Sequence, residues 1–488
     1  MMRGYAGRIW LITFAGLAAR VALLGYQPLW RDEAFTALAV QRPLGSMLTV
    51  VRHDSAPPLF YLIERLVAVV STSPAALRLL PVLAGVAAIP LIAALGRRVA
   101  GDAGGTWAAI IGAVAPALLV SSLDARMYML ATALVLASTL CLLRALERPS
   151  VLRWGLYAGL SILAVYTVYF ALFAVLAQVV AVAILYARRH PRTALLVGSL
   201  GLVTLLSLTP WLVVASSQLS HGTGGFWVPK LTVVSLSGGL VQFFIGPPLS
   251  TWVTGYTGLR IIEGASVVAG VAALAAVALS SKRLRGDEAQ AASVLALTGG
   301  IAVAMVILVS FWHPLEDGRY FSAAWAPLFP LVGAGLALIP WRQAAFAAAA
   351  VTAVVAFATV TTVTNPDTPA AIALIVQSAG PHDVIAAYPS EYLLVLYYGG
   401  PSIDARTRSM APVVPWFWGT AVYPPGAVLQ SMPAPSPTTR TVWYVFERGD
   451  PPPPDPDGYW ARSTRCWTGV CVTMLTPSGA GASGANST

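Results

Sequence analysis

Two short acidic elements early in the chain carry the residue types that proton-transfer chemistry needs. Trp30-Arg31-Asp32-Glu33-Ala34-Phe35-Thr36 places two adjacent carboxylates, Asp32 and Glu33, directly after an apolar run. Twenty-one residues on, His53-Asp54-Ser55-Ala56-Pro57-Pro58 supplies a second acidic element at Asp54, with His53 beside it. Charges at a membrane boundary are costly unless solvated or paired, so they mark candidate chemistry. In a partly desolvated cleft a carboxylate can take the proton of a substrate hydroxyl. The competing reading makes both acids helix starts: Asp32 an N-cap with Glu33 facing the helix dipole, and Asp54 a cap ahead of Pro57.

Two basic elements complement the acids. Ser122-Leu123-Asp124-Ala125-Arg126-Met127-Tyr128 sits between two apolar runs with almost no loop to spare, and His313-Pro314-Leu315-Glu316-Asp317-Gly318-Arg319-Tyr320-Phe321 precedes a late one. Each sets an arginine among acids and a tyrosine at membrane level. Arginine there can bind a phosphate bidentately while the attached lipid stays in the bilayer. Arg126, Arg319, Tyr128 and Tyr320 are therefore candidate phosphate-binding residues, and His53, His313, Glu316 and Asp317 candidate substrate-lining ones. The alternative is an interfacial salt bridge with an aromatic belt. Near the C-terminus Cys466 and Cys471 are candidates for one short disulfide.

The elements that must position these residues are apolar helices. Of 488 residues 57% are hydrophobic and only 10% charged, which fits an integral membrane protein and not a soluble domain. About eleven runs can span, near 9–26, 76–96, 105–122, 127–145, 152–168, 170–187, 194–214, 259–280, 291–312, 321–340 and 343–362. With the N-terminus inside, every cytoplasmic connection is basic, from Arg97-Arg98 to Arg342, as the positive-inside bias requires. Those connections and the N-terminus hold 14 basic and four acidic residues, which is the whole of the net +10. The charge is thus an orientation signal, and no basic face for nucleic acid remains. Residues 27–75, 215–258 and everything after 363 fall on the outer face of the plasma membrane. Within the first, EAFTALAVQRPLGSMLTVV and PLFYLIERLVAVV read as interfacial helices.

After about residue 363 the composition becomes ordinary. DTPAAIALIVQSA reads as an amphipathic helix, DVIAAYP and TVWYVFER as buried strands, and EYLLVLYYGG as a helix ended by glycine. The expected organisation is a transmembrane domain over 1–362, carrying the catalytic acids in its outer loop 27–75, and a small outer α/β domain over 363–488 with a disordered end.

Taken in order, the WxDE element, the Asp-x-x-Pro-Pro-Leu-x-Tyr element, the Ala-Arg-x-Tyr element and the late Arg-Tyr-Phe resemble the GT-C glycosyltransferases, in their protein-mannosyltransferase-like and aminoarabinose-transferase-like branch. The resemblance covers roughly residues 5–340. It implies the GT-C fold and transfer of a sugar, mannose or a pentose such as arabinose, from a polyprenyl-phosphate donor to a glycan, lipoglycan or protein hydroxyl. It carries the role of catalytic acid to Asp32, of its neighbour to Glu33, of second loop acid to Asp54, and of donor-phosphate contacts to Arg126 and Arg319. Many relatives have histidine directly before the Pro-Pro pair, where this chain has Ala56. The sequence identifies no cofactor and leaves open whether a divalent cation assists. A lipid or glycan transporter, or a lipid-phosphate group transferase or ligase, is the alternative.

Overall fold

The computed structural model describes residues 2–216, 218, 228, 230–247, 257–313, 315, 318–411, 414–432, 441–450 and 458–477. In chain order the helices are α1 (Met2–Leu23), α2 (Arg31–Val40), α3 (Leu44–Arg52), α4 (Leu59–Ala68), α5 (Pro74–Leu77), α6 (Leu79–Val114), α7 (Pro116–Ser122), α8 (Tyr128–Glu147), α9 (Val151–Thr167), α10 (Ala171–Tyr186), α11 (Pro191–Ser207), α12 (Thr209–Val214), α13 (Val233–Ile245), α14 (Thr257–Ser280), α15 (Asp287–Ser310), α16 (Gly318–Trp325), α17 (Phe329–Leu338), α18 (Arg342–Thr362), α19 (Thr368–Ser378), α20 (Pro389–Gly399) and α21 (Pro401–Asp404). The strands are β1 (Val384–Ala387), β2 (Thr407–Met410), β3 (Val428–Leu429), β4 (Val442–Glu447), β5 (Tyr459–Cys466) and β6 (Val470–Pro477).

The chain divides into two compact units: Met1–Leu24, Ser55–Val67 and Ala75–Val363 form one, and Gly25–Asp54, Ala68–Pro74 and Thr364–Thr488 the other. The first unit is a bundle of apolar helices. Among the described residues eight helices are long and apolar enough to cross a membrane, and the protein is a multi-pass membrane protein. The expected eleven runs reconcile with these eight. The Pro74–Val114 run is two helices, because Ala100 and Gly101 leave helical geometry and the chain doubles back. Its halves then pack tightly, with Gly105 against the Ala93 carbonyl and Gly112 against Ile89 Cα, where a Cβ would lie 3.0 and 3.3 Å away. The other two, α9 and α10, are apolar but only 17 and 16 residues long.

Charge falls where the sequence asks for it. Arg97 Nε pairs with Asp102 at 2.7 Å, and Arg98 grips Glu147 with Nε and Nη2 at 2.8 and 3.2 Å. Arg97 also lies 4.5 Å over the Tyr5 ring. The start of α1, the reversal in α6 and the end of α8, all expected on the cytoplasmic side, therefore share one end of the bundle. In mid-bundle α17 runs against α6 and α14 with glycines at the seam. A Cβ on Gly333 or Gly335 would collide with the backbone of Ala108 or Ala273, the small-residue packing that membrane helices use in place of a hydrophobic driving force.

The second unit holds a six-stranded sheet of order β3-β2-β1-β4-β6-β5. β1, β2, β3 and β4 run parallel, and β6 returns antiparallel to β4 and β5. The core is Ala386, Met410, Val442, Tyr444, Tyr459 and Leu475. The short β1 and β4 are buried and largely apolar, as central parallel strands must be, and α20 ends at Gly400 with φ 71°. This is the small α/β domain expected from the sequence. Residues 25–54 pack with it: α2 lies on α20, and Arg42 Nη2 donates to the Val422 carbonyl at 2.5 Å.

Candidate active site

The two adjacent acids meet different fates because α2 starts one residue before them. Trp30 is the N-cap, in extended geometry (φ −101°, ψ 172°). Glu33, the third helical residue, reaches back and accepts the Trp30 N–H at 3.2 Å. Asp32 is therefore not the cap. Glu33 is fully buried, whereas the Asp32 side chain keeps 21% of its surface and lies 3.5 Å from Arg31 Nε. Of the pair, Asp32 is the carboxylate that keeps access to its surroundings. Asp54 is buried, and its N–H donates to the Val51 carbonyl at 3.1 Å, past the end of α3. The exposed His53 turns Nδ1 back to the Thr49 carbonyl at 2.7 Å, so that nitrogen donates locally.

The basic elements converge in the bundle. Arg126 is buried, and its Nη1 donates to the Tyr61 hydroxyl at 3.2 Å. Its own N–H donates to the Asp124 carbonyl at 2.7 Å, a tight turn that leaves Arg126 just outside α8 and makes Tyr128 its first residue. Gly318 opens α16, with Arg319 and Tyr320 next. α8 and α16 pack together. Tyr128 and Tyr320 lie 6.4 Å apart between ring centroids, and Tyr320 stacks on Phe170 at 4.6 Å. Two arginine-bearing helix starts thus come together, and helix N-termini favour anions. A small cleft between α7, α8 and α16 is lined by Leu118, Ser121, Thr132, Gly318, Ser322 and Trp325. His313 is exposed at the end of α15. Glu316 and Asp317 lie outside the described residues.

Among the buried ionisable residues not singled out from the sequence are Arg20, Glu64 and Glu391. Arg20, fully buried in α1, donates from Nε to Ser122 Oγ at 3.0 Å and from Nη1 and Nη2 to the Gly16, Ala113 and Gly112 carbonyls. It ties α1 to the ends of α6 and α7. Glu64 on α4 is fully buried with neither carboxyl oxygen hydrogen-bonded, and burial pushes its pKa up to about 8. Glu391, buried on α20, accepts the Thr368 hydroxyl at 2.9 Å, and burial likewise raises its pKa to about 8. An arginine in an apolar span was the available signal for Arg20. For Glu64 it was a lone acid three residues after Tyr61, on the same helix face. Cys466 and Cys471 form a disulfide across the β5–β6 turn. Among the described residues no three His, Cys, Asp or Glu side chains gather as a metal site.

The fold is that of the GT-C glycosyltransferases. Over 96% of this chain and 98% of the other, it superposes on ArnT from Cupriavidus metallidurans, crystallised with undecaprenyl phosphate, with TM-score 0.55 and 13% identity. It superposes on the oligosaccharyltransferase of Archaeoglobus fulgidus in the apo form with TM-score 0.51 and 14% identity, over 85% of this chain and 63% of that one. Residues 54–214, a third of the chain, match the dolichyl-phosphate-mannose-protein mannosyltransferase family, and this segment contains Asp54, Tyr61, Arg126 and Tyr128. No curated protein sequence matches the chain.

Proposed function

We propose that the protein is a glycosyltransferase that takes a sugar, mannose or a pentose such as arabinose, from a polyprenyl-phosphate donor. The acceptor is a hydroxyl of an envelope glycan, lipoglycan or protein on the outer face of the plasma membrane. The observation that carries this reading is Arg126: a buried guanidinium at a helix start, held by Tyr61, inside the segment that matches the mannosyltransferase family. The undecaprenyl phosphate in the ArnT crystals, a protein of the same fold, supports a lipid-phosphate donor.

In this mechanism the acceptor oxygen attacks the anomeric carbon and its proton passes to Asp32. The bond from that carbon to the phosphate oxygen breaks, and polyprenyl phosphate leaves with the electron pair. Arg126 and Arg319 hold the charge that builds on the phosphate, with Tyr128 and Tyr320 beside them. Glu33 braces the turn that presents Asp32, and Asp54 is the second loop acid. A single displacement inverts the anomeric centre through an oxocarbenium-like state. His53, His313, Glu316 and Asp317 are assigned no more than the lining of the substrate approach.

The test is release of polyprenyl phosphate from a panel of polyprenyl-phosphate sugars by purified protein with envelope acceptors. Wild type is expected to release it and form a glycosidic bond, and Asp32→Asn and Arg126→Gln to fall at least about 100-fold. Product without a new glycosidic bond would favour a phosphate-group transferase or ligase. Full transfer by Asp32→Asn would end the base assignment.

A further inference from the structure

The residue next to the proposed base is held by the C-terminal domain. Arg31 lies 3.5 Å from Asp32 through Nε, and its guanidinium sits 5.3 Å over the Trp418 ring. Behind it is an acidic corner. Asp450 Oδ2 accepts the Ser390 hydroxyl at 2.6 Å and the Glu447 N–H at 3.1 Å. Glu391 and Glu447 each feel the negative charge of Asp450, and Arg31 is the cation acting on both. Tyr423 feels it too. One guanidinium therefore serves carboxyls from α2, α20 and β4.

The segment carrying Arg31 and Asp32 is fastened along its length by the same domain. The Leu29 N–H donates to the Tyr398 hydroxyl at 2.8 Å, and Asn365 Nδ2 donates to the Pro28 carbonyl at 2.8 Å. Beyond Asp32, Phe35 packs against Gly419, which at φ 76° and with Phe35 Cδ2 2.9 Å from where a Cβ would stand has room for no side chain. Arg42 closes the far end on Val422.

We propose that Arg31 is a positioning residue through which the C-terminal domain sets the orientation and charge state of Asp32, with the Trp418 ring against the guanidinium and the carboxyls of Glu391 and Glu447 within reach of its charge. This rests on the reading of Asp32 as the base. Held on one side by the ring and the acidic corner, the guanidinium keeps one edge toward Asp32 and favours its ionised form. The groups that bear on this corner are Arg31 and Glu33 from α2, Glu391 from α20, Glu447 from β4, Asp450 beyond it, and Tyr423.

Carbodiimide labelling of Asp32 against pH, read by peptide mass spectrometry on the purified full-length protein, measures its ionisation without assuming any activity. Arg31→Gln is expected to move the Asp32 labelling midpoint up by roughly one pH unit, and Trp418→Ala to move it the same way by less. Arg31→Lys, which keeps the charge and gives a second variant should Arg31→Gln not fold, is expected to restore most of the midpoint. The acidic limb of kcat for donor turnover should follow the labelling, with KM for the donor within about twofold. An unmoved midpoint in Arg31→Gln overturns the proposal even if Asp32→Asn is inactive. A moved midpoint with Asp32→Asn fully active upholds the positioning and defeats the base assignment instead.

Discussion

At the scale of single residues the acids of this protein separate by what the backbone asks of them. Glu33 accepts the Trp30 N–H inside a dry turn, and Asp32 faces partly outward. Glu33→Ala should therefore cost about 1 kcal/mol of stability, a lost helix cap. Asp32→Asn should leave unfolding within about 0.5 kcal/mol of wild type while removing transfer; denaturation followed by intrinsic fluorescence, run beside the turnover assay, separates the two. Glu64 gives a pH prediction. Its carboxyl titrates near 4.5 in an unfolded chain and at about 8 when folded. The folded state therefore binds the extra proton between those values, and the contribution is full below pH 4.5 and lost as pH rises through 8. Glu64→Gln removes that loss. Its melting temperature should exceed that of wild type by about 2 °C or more at pH 8, with the difference shrinking toward pH 5; equal pH dependence in both proteins would show that Glu64 is ionised in the fold.

At the scale of elements, what was legible in the sequence is what local pattern decides. Apolar runs gave the spans, and the Arg97-Arg98 pair ahead of Gly101 marked the reversal that makes one 41-residue run into two helices. DVIAAYP and TVWYVFER gave β1 and β4 because central strands are short and apolar. The Ala-Arg-x-Tyr and Arg-Tyr spacings located Arg126 and Arg319 at helix starts. Pairings between distant parts of the chain were not legible. Nothing local in Arg42 points to Val422, or in Arg31 to Trp418, so the packing of residues 25–54 with the C-terminal domain appears only in three dimensions. Glu64 was hidden for a related reason, since a helix pattern does not say which face ends up dry. The seam glycines are the same kind of information read backward: they are uninformative as composition, yet Gly333 stands where any Cβ would strike the Ala108 backbone. A backbone obstacle cannot rotate away as a side chain can, so Gly333→Val should separate α17 from α6. Size-exclusion chromatography in detergent should then show aggregated or absent protein, whereas Gly300→Val on α15, where nothing lies within 4 Å, should behave as wild type.

At the scale of the whole molecule, sidedness decides which donor the proposed transferase can use. No nucleotide-sugar pool lies outside the plasma membrane, so a transferase working there must draw an activated sugar from a lipid carrier, and the same residues facing the cytoplasm would meet nucleotide sugars directly. The charge pattern argues for the first case. The connections bearing Arg97, Arg98 and Glu147 gather at one end of the bundle, and in the sequence they belong to the set of basic connections whose excess orients insertion. Two exposed positions test the sidedness expected from the charge pattern: Trp460 on β5, 67% exposed, and Arg342 at the start of α18. Trp460→Cys and Arg342→Cys, each made in a Cys141→Ala background that leaves the Cys466–Cys471 disulfide intact, are probed in intact cells with a membrane-impermeant maleimide. Position 460 should label at once and position 342 only after the membrane is opened. The reverse pattern would put the acids and arginines inside, and with them a nucleotide-sugar donor in place of the lipid one.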